Sequence, residues 1–96
     1  MNRSSFERYL ETKANLTSKV VSDTASRCAS VERAFDLDLD VELPRGELSN
    51  LIEWLKTPEG RQRMNYVGSD PRWYEPAVRA LEKYSRYLKG ERRDQP

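Results

Sequence analysis

"FDLDLDVEL", Phe35 to Leu43, alternates apolar and acidic residues without a break. Such alternation fits a β-strand, a metal-binding loop or a tether between helices, and the choice decides the fold. A strand would place Leu37, Leu39 and Val41 on one face. No second strand-like stretch is present to pair with it, and a lone strand leaves its backbone groups unsatisfied. A calcium loop would draw on Asp36, Asp38 and Asp40 as its first three ligands, with Glu47 at the twelfth position. The sixth position of that loop is Val41, where a glycine is needed, and a β-branched side chain resists the left-handed turn. Pro44 also falls inside it. The preferred reading is an extended tether. Its leucines and Val41 face the core, and its carboxylates stay in water just before a helix N-terminus, where the helix dipole favours them.

Helical patterns flank this stretch on both sides. Upstream, Val20, Val21, Thr24, Cys28, Val31 and Phe35 recur at spacings of three and four, predicting a helix over 18–35 with Thr17 as N-cap. A shorter helix over 5–13 presents Phe6, Tyr9 and Leu10, with Ser4 and Glu7 as a capping box and Asn15 as a left-handed cap. Downstream, Leu48, Leu51, Ile52 and Leu55 mark a helix over 45–56. Thr57 before Pro58 suits a fresh helix start, so "TPEGRQRMNY" reads as a short helix. Asp70 caps a turn at Pro71, and the last helix runs over 76–89. It shows Ala77, Val78, Leu81, Tyr84 and Leu88 on one face, with Gly90 as its C-terminal stop. The expected fold is all-α, a compact bundle of four main helices plus one or two short ones. Residues 1–90 form a single helical domain, and 91–96, "ERRDQP", a frayed tail or the start of a linker.

Composition narrows the chemistry. The 96 residues suffice for one modest core. There is no histidine and one cysteine, Cys28, so neither a zinc site nor an intrachain disulfide is expected. Cys28 lies on an apolar stripe, where a thiol is inert. No glycine-rich phosphate loop is present, and no carboxylate pair stands out for acid–base work. The chain is expected to be no enzyme and to need no cofactor or metal. No apolar run approaches a membrane span, "MNRSSFERYLETK" lacks a signal-peptide core, and the expected location is cytoplasmic.

The net charge of +1 conceals a segregation: residues 1–31 carry +2, residues 32–59 carry −5 and residues 60–96 carry +4. Arg79, Lys83, Arg86 and Lys89 form one basic side of the last helix, and Lys19, Arg27 and Arg33 can extend it from the second. Such a surface suits a polyanion. Trp73 and Tyr74, with Tyr66 nearby, suit core closure, a partner-binding patch or a stacking surface.

"FERYLETKANLTSKVVSDTASRCASVERAFDLDLD" followed later by "VRALEKYSRYLKG" resembles the SAM-like core-binding domain at the N-terminus of tyrosine recombinases and phage integrases. Phe6, Tyr9 and Leu10 match its first element, and Leu16, Thr17, Val20 and Val21 its second. Ala80, Leu81, Tyr84, Tyr87 and Leu88 match its closing helix, with Tyr87 in place of phenylalanine. The resemblance spans about residues 5–90. It departs at Thr24, where an aromatic is usual, and in "TPEGRQRMNYVGSDPRWYEP", which is longer than a typical connection. The resemblance implies a non-catalytic arm that lays helices across duplex DNA. Phosphate contacts would then fall to Lys19, Arg27, Arg79, Lys83 and Arg86. The alternative is a helical protein-interaction module using Trp73, Tyr74 and the acidic linker; the third reading is a calcium-responsive helix pair.

Overall fold

The computed structural model describes residues 1–93, with side chains through Gly90. In chain order the elements are α1 (Arg3–Thr12), α2 (Ser18–Phe35), α3 (Leu39–Glu42), a 3-10 turn (Leu43–Arg45), α4 (Leu48–Leu55), α5 (Pro58–Arg63) and α6 (Glu75–Arg93). Among the described residues there is no strand, and the all-α bundle has four longer helices and two short ones.

α2 and α6 form the centre, and α1 packs across both. The predicted stripe of α2 is buried at Val21, Thr24, Ala25, Cys28, Val31 and Phe35, and Thr17 accepts from the Val20 amide as N-cap. Against it α6 buries Ala77, Ala80, Leu81, Tyr84 and Tyr87. α1 contributes Phe6, whose ring meets Tyr84 edge-to-face at 4.7 Å and 81°. Such a pair adds about 1 kcal/mol beyond its burial. Tyr9 and Tyr87 extend the cluster at 5.2 Å.

Three termini differ from expectation. α4 starts at Leu48 and not at 45, because Leu43–Arg45 form the 3-10 turn and Gly46 breaks the chain direction at φ 83°. α1 starts at Arg3, so Ser4 lies inside its first turn; Asn2 is the cap, accepting from the Ser5 amide at 3.2 Å. Glu7 pairs with Arg3 at 2.7 Å instead of reaching back. At the other end α6 runs past Gly90, so that glycine is no stop. Gly46 is the sole glycine with positive φ among the described residues. Of the expected tail over 91–96, residues 91–93 continue α6 and the remaining three lie outside the described residues.

The acidic stretch is not an extended tether. Phe35 ends α2, and Asp36 closes it in the left-handed region at φ 50°. Asp38 caps a new helical turn, accepting from the Asp40 amide at 2.9 Å. Leu39 and Leu43, four residues apart, are then buried together, while Val41 turns outward and is 43% exposed. Helical spacing has overridden the alternation, because i and i+4 share a helical face while i+2 does not.

The carboxylates of this stretch turn onto the chain's first residue. The Met1 ammonium, whose side chain is 3% exposed, lies 3.4 Å from Glu32 Oε2 and 3.8 Å from both Asp38 Oδ1 and Asp40 Oδ2. Glu32 also accepts the Leu39 amide at 3.0 Å. The Tyr84 hydroxyl donates to Asp40. Asp36, Asp38, Asp40 and Glu47 do not converge on a common point: Glu47 accepts instead from Asn50 at 2.8 Å. Among the described residues no group of three or more Asp, Glu, Cys or His is arranged to hold a metal ion.

α5 seats itself against the end of α4. Thr57 caps it, accepting from the Gly60 amide at 3.0 Å, as the Thr-Pro start predicts. Gly60 is buried there; a Cβ on it would stand 2.9 Å from the Leu55 backbone and closer still to the Trp54 carbonyl. Backbone cannot step aside cheaply, so Gly60→Ala is expected to destabilise the fold by about 1–3 kcal/mol in urea unfolding.

Stability should fall as pH rises. Burial lowers the pKa of the Met1 amine, but the charges of Glu32, Asp40 and Asp38 outweigh it and hold the value above its ordinary 8.0. Burial, then the Asp40 hydrogen bond and charge, pushes the Tyr84 hydroxyl well above 10.0. Both groups keep their protons longer folded than unfolded. Their contribution is therefore complete below the unfolded values and is lost as pH climbs through the folded ones. Urea midpoints measured from pH 7 upward should decline above about pH 8. Acetylation of the Met1 amine should lower the pH 7 midpoint and flatten the first part of that decline.

Candidate nucleic-acid interface

The α2–α6 seam uses small residues. Thr24, Ala25 and Cys28 face Ala77 and Ala80, so the two backbones approach closely enough for Cys28 Sγ to donate to the Ala80 carbonyl at 3.4 Å. Larger residues flank the seam and leave a furrow between them. Its first segment is lined by Val20, Thr24, Arg27, Pro76, Arg79, Ala80 and Lys83. The second is lined by Arg27, Met64, Tyr66, Trp73, Pro76 and Ala77, and so shares Arg27 and Pro76 with the first. The third adds Ser30, Arg33, Ala34, Arg63 and Asn65 and shares Met64. The three segments therefore adjoin one another as open hollows along α2.

Five cations line it and no acid does. Arg79 is held by Glu75 at 3.3 Å, and Arg63 by Glu59 at the same distance. Among the described residues Arg27 and Lys83 enter no ion pair. The carboxylates of the acidic stretch are directed elsewhere. Glu32, five residues beyond Arg27, lies about 140° away around α2, where it faces Met1.

Of the five cations singled out in the sequence, the fold brings together Arg27, Arg79 and Lys83. Lys19 and Arg86 are exposed but lie outside the lining. Arg86 continues the Arg79–Lys83 stripe by a further turn, and Lys19 sits at the head of α2 on its shoulder. Arg63 is an addition. It comes from α5, and its guanidinium sits 5.3 Å from the centre of the Trp54 ring, which in turn packs on Phe35 at 4.4 Å.

The aromatics of the α5–α6 connection stand in the wall of the second segment. Tyr66 and Trp73 stack with centroids 5.4 Å apart and planes 21° apart. Arg61 lies 5.2 Å over Tyr66 and donates to the Gly68 carbonyl, which ties the loop into a fixed shape. Tyr74 meets Trp73 in a T-shaped contact at 5.9 Å and receives Lys56 at 5.5 Å. These rings are half-buried: part closes the core, and part faces the furrow.

No protein-family model, curated protein sequence or solved structure gives a significant match to the chain. Among the described residues no helix is long and apolar enough to cross a membrane.

Cys28 adds no reactive group to the furrow. Burial first, and then the charge of Glu32, pushes its thiol up to about 12 from an ordinary 9.0. At pH 8 this lowers the thiolate fraction by about a thousandfold. A disulfide reagent should therefore leave the native thiol unmodified on a timescale at which the urea-unfolded chain reacts fully.

Proposed function

We propose that this chain is a non-catalytic helical arm that binds duplex DNA through its phosphates. The observation that carries the reading is the α2–α6 furrow, in which Arg27, Arg79 and Lys83 stand together with no carboxylate in the lining. The resemblance to recombinase core-binding domains points the same way. Among the described residues Arg27 and Lys83 supply charge not spent on an acid, and Arg79 and Arg63 can exchange a surface partner for a phosphate. Exposed ion pairs are worth about 1 kcal/mol or less, so that exchange costs little. Contacts of this kind position a duplex without reading its sequence.

Fluorescence anisotropy with a labelled generic duplex tests the reading. Binding at low salt should weaken steeply as salt rises, with a log–log slope of roughly −0.9 per phosphate engaged. The combined variant Arg27→Glu, Arg79→Glu and Lys83→Glu should weaken binding at least about tenfold and flatten the slope by roughly two to three. Unchanged affinity in that variant, or no binding by the wild type at low salt, would refute the proposal.

A further inference from the structure

Resting on the phosphate-binding reading, we infer that the preferred ligand carries an unpaired nucleotide beside its duplex, and that the unpaired base stacks on Trp73 in the middle of the furrow. Along the first segment the lining offers charge, suited to a phosphate backbone. In the second it turns apolar and aromatic: Met64, Tyr66, Trp73, Pro76 and Ala77 surround about 210 Å³, with Arg27 as its single charged group. That is room for one base. A paired duplex turns the edges of its bases to the grooves and buries their faces, so it offers these rings no base face to stack on. An unpaired base has a free face, and stacking tolerates any base.

The platform exists before any ligand arrives. Tyr66 and Trp73 are already stacked, at 5.4 Å and 21°, with Arg61 over Tyr66 and the Tyr74 ring perpendicular to Trp73 at 88°. Rings fixed in this way lose little freedom on binding. Arg27 lines both segments, so one guanidinium can hold the phosphate that joins the last paired nucleotide to the first unpaired one. A charged run that leads onto an aromatic stack through a shared arginine suits a duplex-to-single-strand junction.

The test compares a blunt duplex with the same duplex bearing a short single-stranded overhang, 2-aminopurine being its first unpaired base. The overhang form should bind about tenfold more tightly, and the 2-aminopurine emission should be quenched on binding. Trp73→Leu, which keeps an apolar side chain in the wall, should bring the affinity ratio close to one. Should that variant fail to fold by circular dichroism, the 2-aminopurine signal of the wild type decides. Equal affinities for the two DNAs with unchanged emission overturn the inference and leave the phosphate-binding reading standing. Failure of both DNAs to bind at low salt overturns the two together.

Discussion

The close approach of α2 and α6 is the constraint on which the rest of the molecule depends. Thr24, Ala25 and Cys28 on one helix and Ala77 and Ala80 on the other keep the seam thin, and the Cys28–Ala80 contact at 3.4 Å marks how near the backbones come. A larger side chain at any of these positions would push the helices apart, since protein interiors have no slack to absorb it. Once the seam is closed, Tyr84 lies where Phe6 of α1 can meet it, and Asp40 lies within reach of its hydroxyl. The same closure sets Arg27 opposite Arg79 and Lys83 across the furrow.

Charge is sorted by that packing. The middle of the chain carries −5, enough to oppose a basic surface if its carboxylates were spread over the fold. Three of them instead converge on a single ammonium, and one of the three also accepts from Tyr84. Those three carboxylates lie beside Met1, and no carboxylate lines the furrow. The contacts that anchor the first residue thus hold three carboxylates at a place outside the lining of the proposed binding face.

Much of the fold was legible from local chemistry. The α2 stripe, the Thr17 cap and the Thr57-Pro58 start of α5 rest on periodicity and caps, which neighbours in the chain decide. "FDLDLDVEL" was harder, because strict alternation contains every i, i+4 pair that a helix needs. Leu39 and Leu43 satisfy both periods, and Val41 alone distinguishes them by being exposed. Asp38, a good N-cap set three residues after the end of α2, was the local signal for a helical turn. In the candidate site, Arg27, Arg79 and Lys83 were legible because each flanks a recognisable apolar stripe. Lys19 and Arg86 belong to the same helices yet lie outside the lining, and spacing alone does not say where a furrow stops. Arg63 and the stacking of Tyr66 on Trp73 depend on where the α5–α6 connection lands, a long-range outcome without a sequence period. The capture of Met1 by residues more than thirty positions away is of the same kind.

The central claim is that the α2–α6 furrow is a phosphate-binding surface. An amide-resolved NMR titration of the chain with a generic duplex, at low salt and again at high salt, tests it most directly. Shifts should concentrate at Thr24, Arg27, Ala80 and Lys83 at low salt and collapse as salt rises, with the amides of Asp38 and Asp40 unmoved. A titration that leaves the furrow amides in place at low salt, or that moves those of the acidic stretch instead, would contradict it.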